Sequence, residues 1–193
     1  MAALRYGIAN RPKKGEEVSG DAYVITEAES AVTIGLVDGL GSGEAALEAS
    51  QLAIRRITLN STEDLKELVT RCHEELRGTR GAVMALLRIN LKSKKVSFVG
   101  VGNIGLYAWS AESIMPISHP GVVGSHRLPN LREFTYRYTP GDLFVLYSDG
   151  VSDRLIMEDD LPDLGRIDPQ AAADIIAERY GKEHDDITVI VVC

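Results

Sequence analysis

The chain has 193 residues, 45% of them hydrophobic, a size and composition that suit one globular domain, 1–193, with a full core. A formal net charge of −7 lacks the basic surplus with which a nucleic-acid binder offsets phosphate. No basic segment followed by an apolar stretch opens the chain and no apolar run reaches membrane-spanning length, so a soluble cytoplasmic protein without a membrane partner is expected.

Residues 4–10 predict a first strand, with Arg11-Pro12-Lys13-Lys14-Gly15 as a basic loop behind it. Residues 21–28 and 31–37 predict a hairpin that turns near Glu29-Ser30. Antiparallel pairing would set Asp21, which opens one strand, beside Asp38, which follows the other. Residues 42–59 predict a helix with Ser42 as N-cap and Ala45, Ala46, Ala49, Leu52, Ala53 and Ile57 as its buried stripe. A second helix is expected over 62–76, capped by Ser61 or Thr62. Its buried stripe is Leu65, Leu68, Val69, Cys72 and Leu76, with His73 partly exposed beside it. Cys72 reads as a core thiol, and with only Cys193 besides it there is no disulfide framework or metal-ligand spacing.

The middle of the chain predicts strands over 81–90, 95–102 and 104–109, the first two joined by the polar turn Leu91-Lys92-Ser93-Lys94. Gly100-Val101-Gly102-Asn103-Ile104-Gly105 has dinucleotide-site spacing, but no helix follows to receive a phosphate, and the glycines read as bends. Residues 113–129 are irregular, 131–138 alternate as a strand, and Thr139-Pro140-Gly141-Asp142 is a turn. An apolar strand then runs into Asp149-Gly150, and short helical turns are expected within 151–165. Asp168 as N-cap and Pro169 at the first helical position open a last helix. Ala172, Ile175, Ile176 and Tyr180 form its buried face, and Gly181 stops it. Residues 187–192 form the final strand. The element order implies an α+β fold: a four-layer αββα sandwich of two mostly antiparallel sheets, with two early helices and one late helix outside.

Four acidic sites fall at strand ends: Asp21, Asp38, Asp149 and the pair Asp185-Asp186. If the sheets bring those ends together, the cluster needs protons or cations to be stable. Oxygen donors without Cys or His favour a hard divalent ion, Mg²⁺ or Mn²⁺.

Ser19-Gly20-Asp21, Val37-Asp38-Gly39-Leu40-Gly41-Ser42-Gly43, Gly141-Asp142-Leu143 through Ser148-Asp149-Gly150, and Asp185-Asp186-Ile187-Thr188-Val189 together resemble the PPM family of metal-dependent serine/threonine protein phosphatases. The closer likeness is to its bacterial SpoIIE-type branch. The resemblance implies a dinuclear Mn²⁺ or Mg²⁺ site in which Asp38 bridges both ions and the Gly39 carbonyl binds one. Asp149 and Asp185 would hold the other, with Asp186 as the alternative ligand, and Asp21 would serve directly or through water. It implies hydrolysis by a metal-bridging hydroxide, with Asp38 and Asp149 central to catalysis. Leu40 stands where many members carry a histidine, so the leaving-group proton must come from elsewhere; His119, His126 and His184 are candidates with nothing to choose between them. Arg5 or Arg11 is a candidate for holding phosphate, and the Arg11–Lys14 loop for docking a partner. The shortness of 113–129 leaves little room for a large substrate-reading flap.

By the same resemblance, the small size is similar to the stand-alone phosphatases of stressosome signalling. The implied partners are phosphorylated STAS-domain scaffold proteins, RsbR/RsbS-like. The competing readings are a catalytically silent module of the same fold, a phosphatase for a different anti-sigma-factor antagonist, and a nucleotide binder using Gly39–Gly43. The last lacks the lysine that a phosphate loop ending in Gly-Lys-Ser/Thr supplies.

Overall fold

The computed structural model describes residues 4–128, 130–152, 154–157 and 164–193. Its strands are β1 (Tyr6–Arg11), β2 (Asp21–Ala28), β3 (Ala31–Gly39), β4 (Ala82–Asn90), β5 (Lys95–Val101), β6 (Gly105–Trp109), β7 (Phe134–Arg137), β8 (Leu143–Tyr147) and β9 (Ile187–Val192). One sheet has the order β1-β9-β8-β6 and the other β2-β3-β4-β5-β7, and every pairing within them is antiparallel. The helices are α1 (Glu44–Leu59), α2 (Leu65–Glu75), the short α3 (Arg154–Met157) and α4 (Pro169–Tyr180).

Period-two alternation with apolar residues on both faces explains the layering, because a strand covered on both sides has no polar face to show. Val32, Ile34 and Leu36 of β3 meet Phe144 and Leu146 of β8 and Ile190 and Val192 of β9 between the sheets. The alternate residues Leu143, Val145, Val189 and Val191 face outward under α4. On the other sheet, Val37, Met84, Leu86, Val99 and Val101 face outward under α1 and α2. The four-layer αββα arrangement expected from the element order is therefore present, with α1 lying on β2 and β3 and α4 on β1 and β9. Among the described residues, no helix is long and apolar enough to cross a membrane.

Several local expectations need correction. Ser42 does not cap α1: Gly43 takes that position with φ 68° and no side-chain bond, while the Ser42 hydroxyl donates to Glu16 Oε1 at 3.3 Å. Asp64, not Ser61 or Thr62, caps α2 by accepting from the Lys66 amide at 2.9 Å, so the helix starts three residues later than expected. His73 is buried rather than partly exposed, because residues 122–124 fold over it and the Gly124 amide donates to its Nδ1 at 3.1 Å. Desolvation there lowers its pKa. Ile175 is exposed; Ala173 and Ala177 share the buried face of α4 with Ala172, Ile176 and Tyr180. Gly181 ends that helix as expected, in an extended conformation. The alternation over 131–138 yields only the four residues of β7, which pair with β5. Of the helical turns expected within 151–165, Arg154–Met157 is one; 153 and 158–163 lie outside the described residues.

Phe144 is fully buried between the sheets. Phe144→Ala should lower the unfolding free energy by about 3–5 kcal/mol, the usual cost of emptying such a site. Urea denaturation measures it, and a loss below about 1 kcal/mol would mean that the sheets collapse onto the space.

Candidate active site

Hairpin geometry builds the first half of the site. Asp21 and Asp38 are direct cross-strand partners on β2 and β3, and the Gly39 amide donates to the Gly20 carbonyl at 3.2 Å. The expectation from strand order is met residue for residue. Gly39 must be glycine: a Cβ there would collide with the Ala46 carbonyl on the first turn of α1. The alanine-rich face of that helix lets it close on the end of β3.

The second half comes from the other sheet. Asp149 follows β8, and Asp185 and Asp186 precede β9, the neighbour of β8. Gly150 lies so close to the Asp186 carbonyl that a Cβ would overlap it. The Ser148 amide donates to the Thr188 carbonyl at 3.0 Å, and the Thr188 amide to Ser148 Oγ at 2.9 Å. These bonds hold Asp149 against the Asp185-Asp186 turn.

The carboxylates from both sheets feel one another. Burial first, and then the charges of Asp21, Asp149, Asp185 and Asp186, push the Asp38 carboxyl up to about 8. Burial likewise pushes Asp21 up to about 6, opposed by the Ser148 and Thr188 hydroxyls and reinforced by Asp186 and Asp149. Asp149 is raised by burial and by Asp185, while Lys182 and Asn103 pull the other way. One Asp21 oxygen, Oδ2, is buried without a hydrogen-bond partner. Among the described residues, no three His, Cys, Asp or Glu side chains are already closed around one point. The acids share a basin rather than a finished cage.

That basin fits divalent cations. Its donors are carboxylate oxygens with no sulfur or imidazole among them, the set that hard ions prefer. An orphaned buried carboxylate oxygen beside raised neighbours is the signature of negative charge without its counter-charge. Asp21, Asp38, Asp149 and Asp185 are the side chains available for coordination, with the Gly39 carbonyl at the end of β3.

Asp186 differs from Asp185. Its Oδ1 accepts from the Lys13 amide and its Oδ2 from the Gly20 amide, both at 2.9 Å. Both oxygens are thus engaged in structure, whereas Asp185 spends one bond on the Asp186 amide at 3.0 Å.

Sequence reasoning missed Asn103 and Lys182. Asn103 Nδ2 donates to Asp149 Oδ2 at 2.6 Å, and Lys182 Nζ donates to the Asp149 carbonyl. Neither lies near Asp149 in sequence; only the strand-end asparagine inside the glycine bends hinted at the first.

Other candidates are placed elsewhere. Arg5 bonds Cys193 Sγ at 3.4 Å, and Arg11 stands 3.8 Å from Glu178, so neither is committed to the acids. His126 and His184 are exposed. The backbone of His119 pairs with Gly100 and Gly102. The segment containing His119 folds over the start of β4, where Val123 pairs with Ala82. Beside it runs an open groove of about 750 Å³ lined by Pro120, Val122, Ser125, Arg127 and Leu131 among others.

A family model described as Stage II sporulation protein E (SpoIIE) matches residues 28–193. The phosphoserine phosphatase RsbX of Bacillus subtilis strain 168 is 29% identical over 143 residues, 72% of this chain and 71% of its own. A solved chain from work on the bacterial stressosome, described there as a modular system adapted to control secondary messenger signalling, is 33% identical. It superposes with a TM-score of 0.93 over all of both chains. RsbX in complex with magnesium shares the fold at 23% identity and a TM-score of 0.83, over 98% of this chain and 94% of its own. The PP2C domain of SpoIIE from Bacillus subtilis shares it at 24% identity and a TM-score of 0.76, over 99% of this chain and 63% of that one.

Two measurements check the electrostatics. With folded-state pKa values of Asp21 and Asp38 above the ordinary 3.8, the folded protein binds protons that the unfolded chain releases. That contribution to stability is fullest in acid and is lost as pH rises through about 6 and then about 8. The metal-free protein should therefore lose melting temperature between about pH 5 and pH 8. The Asp38→Asn variant should lose less, and equal slopes would show that Asp38 is not the strained group. Separately, Asn103→Ala should weaken Mn²⁺ binding about 10- to 100-fold in calorimetry, as loss of an orienting partner does; unchanged affinity would mean that Asp149 needs no such support.

Proposed function

The chain belongs to the SpoIIE family of PPM-type serine/threonine phosphatases, and on that premise we propose that its 193 residues act as one phosphatase domain on phosphoserine or phosphothreonine in STAS-domain scaffold proteins of a stressosome. The observation that carries the reading is the convergence of Asp38 with Asp21, Asp149 and Asp185 from two different sheets. The likeness to RsbX and to a stressosome-associated chain supports the substrate class. The free thiols of Cys72 and Cys193 fit a reducing cytoplasm.

PPM phosphatases depend on metal, and Mg²⁺ or Mn²⁺, two ions in this reading, would be held by Asp38, the Gly39 carbonyl, Asp149, Asp185 and Asp21. When bound, such ions lower the pKa of water and neutralise charge on phosphoryl oxygens. The chain's own residues arrange the rest. Asp38 is fixed by the β2–β3–β4 ladder, so its carboxylate cannot drift as charge builds. Asn103 fixes the Asp149 carboxylate, and Lys182 balances part of its charge. Asp186 keeps its oxygens on backbone amides and leaves coordination to Asp185. Leu40 offers no proton to the leaving group, so protonation comes from water in the basin. No protein nucleophile is required: Cys72 is buried and its thiol pushed up to about 12 by burial.

Hydrolysis of p-nitrophenyl phosphate should require Mn²⁺ or Mg²⁺ and stop in EDTA. Asp38→Asn and Asp149→Asn should each reduce it at least about a hundredfold, more than loss of an outer-shell partner costs. Activity that survives chelation, or that survives both substitutions, would sink the reading. A phosphorylated STAS-domain protein is then the substrate to test, and turnover no faster than that of an unrelated phosphoprotein would remove the stressosome assignment.

A further inference from the structure

An acidic basin repels the dianionic group that it must receive, since a phosphoryl ester carries about −1.5 to −2 at neutral pH. Bound cations offset part of this. The protein also needs a positive group at the mouth, and the sequence candidates Arg5 and Arg11 are placed elsewhere. Eight of the chain's 21 Lys and Arg residues, but only one of its 28 Asp and Glu residues, fall within residues 77–132. The structure separates these eight: Arg132 lies over the Phe134 ring, and Arg77 and Arg127 are exposed on loops. Arg88 is spent on Thr33, Ser61 and Glu63. Lys92, Lys94 and Lys95 stand at the far end of the β4–β5 hairpin. Arg80 stands at the acidic end.

The ladder fixes its position. Asp38 pairs with Val83 and Gly39 with Ala82, and the Leu40 amide continues the ladder by donating to the Gly81 carbonyl at 3.0 Å. Arg80 is the next residue outward, three positions from the partner of Asp38, or about 10 Å along a strand. Its guanidinium lies directly over Gly41, where a Cβ would collide with Nη1. It is exposed, and it forms no hydrogen bond or ion pair among the described residues. Of the basic side chains on other loops near the acids, Lys13 pairs with Glu16, Lys14 with Glu183 and Lys182 with the Asp149 carbonyl.

We propose that Arg80 is a substrate-binding residue whose guanidinium receives the phosphoryl group at the rim of the carboxylate basin. A guanidinium suits the task because its planar fork matches two phosphoryl oxygens and stays charged at any working pH. The assignment rests on the phosphatase reading for the identity of the ester, but not for the binding of phosphate itself.

Calorimetric titration of orthophosphate into the Mg²⁺-loaded protein tests it. Arg80→Ala should bind about tenfold or more weakly than wild type, the scale of a charge-assisted bond. Arg80→Lys should fall between, since an ammonium restores the charge without the fork. In hydrolysis of p-nitrophenyl phosphate, KM should rise more than kcat falls. Equal phosphate affinity in all three proteins, or none in wild type, would overturn the assignment. So would a defect confined to a phosphoprotein substrate, which would place Arg80 against the partner's surface instead. Wild-type protein that binds phosphate through Arg80 yet hydrolyses nothing would sink the phosphatase reading and leave this assignment standing.

Discussion

The Asp186 carboxylate stitches the two sheets together at the end where their acids meet. It leads into β9 of one sheet, and its oxygens accept the amides of Lys13 and Gly20, the segment that feeds β2 of the other. A buried carboxylate engaged by two amides is stable where an unpartnered one is costly. Without this tie, Asp21 and Asp38 would belong to one layer and Asp149 and Asp185 to another. Asn10 adds a second link, its Nδ2 reaching both the Asp21 carbonyl and Thr188 Oγ1.

Placing four acids in one basin sets stability against chemistry. The interior opposes it with a large apolar sandwich in which each central strand is buried on both faces. That design also fixes the acids in space. A strand pinned by apolar contacts above and below cannot slide, because a one-residue slip would exchange its two faces. Rigid strands are a better mount for carboxylates that must keep their spacing as charge moves than loops would be.

Sequence order alone made the hairpin legible, since a strand that opens with Asp21 and a neighbour that closes with Asp38 can pair in only one sense. The acids at 149 and 185 were legible as strand ends, because apolar runs stop abruptly at them. Helix starts were harder: Ser61, Thr62 and Asp64 are all good caps by type, and only the contact of Leu65 with the core decides which is used. His73 was misjudged because what covers it lies fifty residues further on. Asn103 gave only a faint local hint, Asp186 could not be told from Asp185, and Arg80 carries no local signal at all. Their roles come from pairings between distant segments, and a single sequence read by periodicity has no access to those.

The pairing of β1 with β9 has a consequence for how the protein is made. Residues 6–11 wait for 187–192 before they have a partner in the sheet, and β8, already paired with β6, waits for the same strand on its other side. Such long loop closures make folding slow and defer the assembly of that sheet until β9 has been made. Until β9 docks, Phe144 lacks its neighbours Ile190 and Val192, and Asp185 is away from Asp38. A growing chain on the ribosome therefore carries half a basin, and the acids come together only once β9 has been made.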